Sequence, residues 1–152
     1  MIVQHCPDGC VFPEMRAPHW AWPECPPAEA YVALDDAERP LSILRLFPRK
    51  LSSNTVSFHI VGIGGVWTQP EHRGQHHAST LLAYVCEQIN RRAIVAAGLY
   101  AHADRARMYR RQGFVEVQPR LYLRSLVPGL QFVAGEPAAP YFWWKLEPDV
   151  AF

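Results

Sequence analysis

From residue 31 onward the apolar positions come in short runs separated by turn residues, a pattern that predicts strands. Tyr31-Val32-Ala33-Leu34, Leu41-Ser42-Ile43-Leu44-Arg45-Leu46-Phe47 and Val56-Ser57-Phe58-His59-Ile60-Val61 are three such runs. Asp35-Asp36 with Glu38-Arg39-Pro40 forms a turn between the first two, and Pro48-Arg49-Lys50 through Asn54 loosely separates the second from the third. Three strands joined in succession by short connections are most simply an antiparallel meander. A further run, Gly62-Ile63-Gly64-Gly65-Val66-Trp67-Thr68, carries three glycines, which inside a strand mark a bulge or a close approach by another backbone or a ligand.

The period then changes. Between Ala78 and about Ala93 the apolar residues Leu81, Leu82, Val85 and Ile89 recur every three or four positions, which predicts a helix with one buried stripe. Val95 to Ala101 reads as a short buried strand. Asp104 to Arg111 reads as a helix, with Asp104 as its cap and Gly113 just past its end. Phe114 to Val117, Leu121 to Leu123 and finally Tyr141 to Leu146 read as strands, the last two separated by a Pro- and Gly-rich loop from Val127 to Pro140. The coarse order is β-β-β-helix-β-helix-β-β.

Residues 1–30 have a different texture, with six of the chain's 14 prolines in the first 27 positions and no helical periodicity. Val3 to Cys6 and Cys10 to Phe12, around Pro7-Asp8-Gly9, suit a small hairpin. The expected division is therefore a Pro-, Cys- and Trp-rich segment over 1–30 and one domain over 31–152. A chain of 152 residues with 49% hydrophobic content can bury a sizeable core. Its net charge of +1 lacks the electrostatic footprint of a nucleic-acid or anionic-membrane binder. The first residues have neither the basic nor the apolar region of a signal peptide, and no apolar run approaches the ~20 residues of a membrane helix. Four unevenly spaced cysteines, Cys6, Cys10, Cys25 and Cys86, argue for reduced thiols and a cytoplasmic protein. Cys6, Cys10, His19 and Cys25 offer zinc-type ligands, but three residues separate the first pair and no second tight pair follows, so no metal site is assigned. Cys86, on the apolar helix, reads as a buried small hydrophobe.

The chemistry concentrates where the glycine-rich strand turns into the first helix. Such a junction gathers unpaired backbone N–H groups and the positive end of a helix dipole at one spot, and so suits a phosphate or pyrophosphate. In Arg73-Gly74-Gln75-His76-His77-Ala78 the small residues allow close approach and Arg73 adds charge. The whole stretch Val66 to Leu82 resembles the acyl-CoA-binding motif of the GNAT superfamily of N-acyltransferases: Arg or Gln, two residues, Gly, one residue, Gly or Ala. Arg73 and Ala78 match the first and last positions, while His76 stands where the first conserved glycine belongs. About thirty residues on, Tyr109-Arg110-Arg111-Gln112-Gly113-Phe114 resembles the family's Tyr-x-x-x-Gly-Phe signature.

The resemblance covers roughly Tyr31 to Leu146. It implies a mixed α/β (α+β) fold with a mostly antiparallel central sheet flanked by helices, acetyl-CoA as cosubstrate and an amine as acceptor. The backbone of Val66, Trp67 and Thr68 would pair with the pantetheine arm, with an oxyanion donor at Val66 or Trp67. The N–H groups of Arg73, Gly74, Gln75, His76, His77 and Ala78 would hold the pyrophosphate. Tyr109 would protonate the departing thiolate, although a tyrosine at helical spacing also suits plain core packing. His102 falls where many relatives place a cofactor-contacting asparagine. His59, Glu71 and His72 are open as general bases, none assigned. Phe142-Trp143-Trp144 suit core or dimer packing. Relatives begin with a strand and two helices beside the acceptor site, which residues 1–30 are not expected to supply. The uncovered apolar face this would leave predicts a homodimer. The alternative to an enzyme is a non-catalytic acyl-CoA-binding or assembly module.

Overall fold

The computed structural model describes residues 1–7, 29–53, 56–134 and 145–148. The alternating runs form β2 (Glu29–Leu34), β3 (Pro40–Ser52) and β4 (Ser57–Thr68), and the periodic stretch forms α1 (His77–Asn90). After β5 (Ala96–Tyr100) come α2 (Ala106–Arg111), β6 (Val115–Gln118) and β7 (Leu121–Ser125). This is the expected order from β2 to β7, and the outer strands, β1 (Ile2–Cys6) and β8 (Lys145–Pro148), overlap the expected runs Val3 to Cys6 and Tyr141 to Leu146. The sheet runs β1-β2-β3-β4-β5-β7-β6, with β8 pairing the end of β3. β1 with β2, β2 with β3, β3 with β8, β5 with β7 and β6 with β7 pair antiparallel. β4 and β5 instead run parallel, through Val61↔Ala97 and Gly62↔Gly98.

The turns are closed by local chemistry. Asp35 Oδ1 accepts the N–H groups of Ala37 and Arg39 at 2.9 and 2.8 Å, and its other oxygen pairs with the Arg39 guanidinium. These bonds, that of the Arg39 N–H foremost, hold the Asp35 carboxyl below its ordinary value. Between β6 and β7, Arg120 takes a positive φ of 69° and donates its N–H to Glu116, which also pairs with Arg110 at 2.7 Å.

Two runs read as separate strands, 56–61 and 62–68, are one twelve-residue strand, β4. Its glycines interrupt the side-chain alternation without interrupting the strand. Asp104 does not cap α2. It lies inside a short 3-10 turn, Ala103–Arg105, and pairs with Arg105 at 3.1 Å, while the helix begins without any side-chain cap. The N-terminal segment does supply a sheet strand: β1 pairs with β2 from Ile2↔Leu34 to Cys6↔Ala30. Cys10 to Phe12, the other arm of the expected hairpin, and the rest of residues 8–28 lie outside the described residues. Cys6 is disulfide-bonded, which corrects the expectation of a reduced thiol at that position, whereas Cys86 is free.

The chain divides into two units, Met1–Phe47 with Ile63–Gln88, and Pro48–Gly62 with Ile89–Phe152. In the first, Cys6, Ala30, Val32, Leu34 and Ile43 form a buried cluster against which Trp67 packs. The side chains of the opposite face include Tyr31, whose ring meets Tyr84 of α1 edge-on at 6.4 Å. The predicted stripe is correct: Leu81, Leu82, Val85 and Ile89 are fully buried, and Cys86 is buried with them. Each such aliphatic side chain contributes about 1.5–3 kcal/mol by leaving water. In the second unit Leu51, Ile60, Ala96, Val117, Leu121 and Leu123 form the core. Among the described residues no helix is long and apolar enough to cross a membrane.

Candidate active site

The outer half of β4 is held firmly on one side. Fully buried Ser42 of β3 donates its hydroxyl to the Trp67 carbonyl at 2.8 Å and lies 3.0 Å from the Thr68 hydroxyl. The Gln69 N–H closes onto the Leu41 carbonyl at 3.0 Å. On the other side the pairing with β5 ends at Gly62, so among the described residues Ile63 to Thr68 keep an edge without a partner strand. Within this stretch Gly65 takes a φ of 57°, in the left-handed region that favours glycine. The Arg45 side chain lies across this glycine: a Cβ there would sit 2.8 Å from Arg45 Nη1.

Beyond Thr68 the chain makes a 3-10 turn, Pro70–His72, that ends as the Arg73 N–H reaches the Pro70 carbonyl. Arg73 Nε donates back to the Thr68 carbonyl at 3.2 Å. Gly74 and His76 then adopt positive φ angles of 79° and 63°. The His76 carbonyl starts α1, accepting from the Thr80 N–H and from the Ser79 and Thr80 hydroxyls. None of the backbone N–H groups from Gly74 to Ser79 has a protein acceptor among the described residues. The first turn of α1 carries no acidic side chain, so the positive end of its dipole is not neutralised from within. Around this loop, His77 and Gln75 share a 3.2 Å hydrogen bond, and the His72 and His77 rings meet edge-on. Ala78 is half-buried.

These angles explain the departure at position 76. A glycine is favoured there because φ is positive, and histidine is among the few other residues that tolerate this region. The backbone therefore takes the glycine conformation with a side chain attached.

In the second unit, Tyr109 lies on α2 with its ring buried against Phe114 and Tyr122. Burial pushes its phenol up to about 12, opposed weakly by the Arg105 charge. The hydroxyl has no hydrogen-bond partner among the described residues, yet no buried polar atom there is unsatisfied, so the hydroxyl reaches the surface. The Tyr-x-x-x-Gly-Phe spacing has a structural cause. Gly113, φ 82°, donates its N–H to the Arg110 carbonyl and Phe114 donates to that of Tyr109, closing a Schellman motif. The Tyr109–Phe114 ring contact, 6.1 Å between centroids, is the apolar contact that accompanies it.

His102 is exposed, and its carbonyl accepts the Arg105 N–H at 2.9 Å. Among the candidate bases, Glu71 and His59 are exposed and His72 is half-buried. The Cys6 sulfur is engaged in its disulfide, while Cys10, His19, Cys25 and Phe142 to Trp144 are outside the described residues. The structure brings Val66 to Ala78 together as one strand, turn and helix start. Sequence reasoning missed Ser42 and Arg45; the available signal for Arg45 was a single charged residue in the run Leu41 to Phe47.

A mixed sheet in this strand order, with β4 feeding a helix N-terminus whose N–H groups have no acceptor among the described residues, is that of the GNAT acyltransferases. The family model described as an acetyltransferase (GNAT) domain matches residues 10–117, and the chain belongs to that family. Comparison with curated proteins finds no match. Among solved structures it is similar to the Escherichia coli GNAT family N-acetyltransferase YhbS in complex with CoA, at TM-score 0.53 and 19% identity, covering 65% of this chain and 59% of that one. It is also similar to a point mutant of the AtaT toxin bound to the C-terminus of the antitoxin AtaR and acetyl-CoA, at TM-score 0.58 and 16% identity, covering 65% and 68%. A putative N-acetyltransferase from Lactobacillus plantarum gives TM-score 0.54 and 18% identity, covering 66% and 70%. The chain thus spans about three fifths of the E. coli structure.

Proposed function

We propose that this chain transfers an acetyl group from acetyl-CoA to a primary amine by direct attack in a ternary complex. One observation carries the reading: the run of acceptor-free N–H groups from Gly74 to Ser79 at the start of α1. It is a preformed cradle for a pyrophosphate, and Arg73 supplies positive charge beside it. The unpaired edge of β4 from Ile63 to Thr68 suits an extended arm carrying amide groups. That the E. coli and AtaT structures contain CoA and acetyl-CoA supports the same choice of cosubstrate.

The thioester supplies an activated acyl group. A backbone N–H at Val66 or Trp67 stabilises the oxyanion as the amine attacks. The carbon–sulfur bond then breaks, and Tyr109 gives the departing sulfur its proton, while the attacking nitrogen loses one to solvent. A phenol raised to about 12 is protonated throughout the neutral range, and its hydroxyl has no hydrogen-bond partner among the described residues.

The test is a thermal shift with acetyl-CoA, then an amine screen. A ligand at a hundred times its Kd stabilises by about 2.7 kcal/mol. Binding followed by amine-dependent release of free thiol is expected. The second reading, a non-catalytic acyl-CoA-binding module, draws on His76 occupying the glycine position; binding without turnover on any amine would select it.

A further inference from the structure

Arg45 is the one charged side chain in the run from Leu41 to Phe47. The register places it beside Ala30, which in turn pairs with Cys6, so these three share a row on the face of the buried Cys6, Ala30, Val32, Leu34 and Ile43 cluster. Trp67 packs against that same cluster from β4. The guanidinium lies against Gly65, whose missing Cβ makes the room, one residue before the backbone assigned to the oxyanion. It is half-buried, and desolvation lowers its pKa. No carboxylate answers it: among the described residues Arg45 has neither an ion pair nor a hydrogen bond. A half-buried guanidinium without an acid partner is an open fork for a planar anion.

We propose that Arg45 binds a carboxylate on the acceptor, so that the amine acetylated by this chain belongs to an amino acid or a similar short amino carboxylate. This rests on the acetyl-transfer reading. With the carboxylate on Arg45, the amine a few bonds away is held next to Gly65 of β4, where the thioester carbonyl would lie. Simple cationic amines and polyamines gain nothing from this contact and are repelled by the same charge.

The experiment compares matched acceptors with the wild-type chain: free amino acids, their carboxamides, and the amines of the same side chain lacking the carboxyl group. We expect the carboxylates to exceed both neutral sets at least tenfold in kcat/KM. In Arg45→Gln that preference collapses through a rise in the acceptor's KM, with the loss falling on the acceptor and not on the KM for acetyl-CoA. Arg45→Lys, which keeps a cation without the fork, retains part of it. Equal or better turnover of the carboxamides by the wild type overturns the proposal even if Arg45→Gln does not fold, as does an Arg45→Gln variant with its preference intact. Turnover of neutral amines alone would sink the carboxylate site and leave acetyl transfer standing. Absence of both acetyl-CoA binding and turnover would overturn the two together.

Discussion

Tyr109 combines a buried ring with a hydroxyl that no protein group occupies among the described residues, and this pairing makes it informative. Tyr109→Phe keeps the ring contacts and removes only the hydroxyl proposed to donate the proton. Turnover should fall by about 10²-fold or more, with acetyl-CoA affinity changed little, as measured by steady-state kinetics and calorimetry. The raised phenol also has a stability consequence. The folded chain holds this proton up to about 12, whereas an unfolded tyrosine releases it near 10. The contribution is therefore complete below pH 10 and is lost as the pH rises from 10 to 12, a change on the order of 2 kcal/mol that denaturant titrations of Tyr109→Phe should lack. At His76 the positive φ means that glycine would relieve strain in the fold but add freedom to the unfolded chain. His76→Gly should change stability by less than about 1 kcal/mol. Calorimetry should find acetyl-CoA binding to the wild type as well as to this variant; binding to the variant alone would show that the side chain closes the cradle.

At the level of elements, the second family signature is a helix terminator. Tyr109, Gly113 and Phe114 are the residues that a Schellman motif ties together. An alanine at 113 would meet nothing closer than 3.7 Å, so its cost is conformational alone. Gly113→Ala should destabilise by about 1–2 kcal/mol through the left-handed φ, visible as a lowered Tm, and should reduce turnover by loosening Tyr109. The types of elements from β2 to β7 were legible because strand and helix periods are written locally in Leu81, Leu82, Val85 and Ile89 and in the alternating runs. The reading failed where local chemistry was ambiguous. Asp104 is a good cap by residue type, but a 3-10 turn intervenes before α2 and its carboxylate turns to Arg105. β4 looked like two strands because Gly62, Gly64 and Gly65 blur the alternation that defines one.

For the molecule as a whole, the expectation of a homodimer rested on an uncovered apolar face. Ala30, Val32, Leu34 and Ile43 on that face are buried within one chain, so this reason for association falls away. Light scattering at micromolar concentration should give the mass of one chain, and a two-chain mass would have to come from another surface. Residues such as Arg73, Gly74 and Tyr109 could be nominated from sequence because they stand in motifs that resemble those of the GNAT family, and such spacing is local. Neighbours brought together from distant positions could not be nominated in this way. The pairing of Ile2–Cys6 with β2, the anchoring of Trp67 by Ser42 and the placing of Arg45 over Gly65 join residues 20 or more positions apart. So does the choice of which polar groups are left unpartnered, since a hydrogen bond is lost or kept only when the rest of the chain has folded around it. Local periodicity thus specified the elements and the motif positions, and packing in three dimensions decided which N–H groups, which hydroxyl and which guanidinium were left without a partner among the described residues.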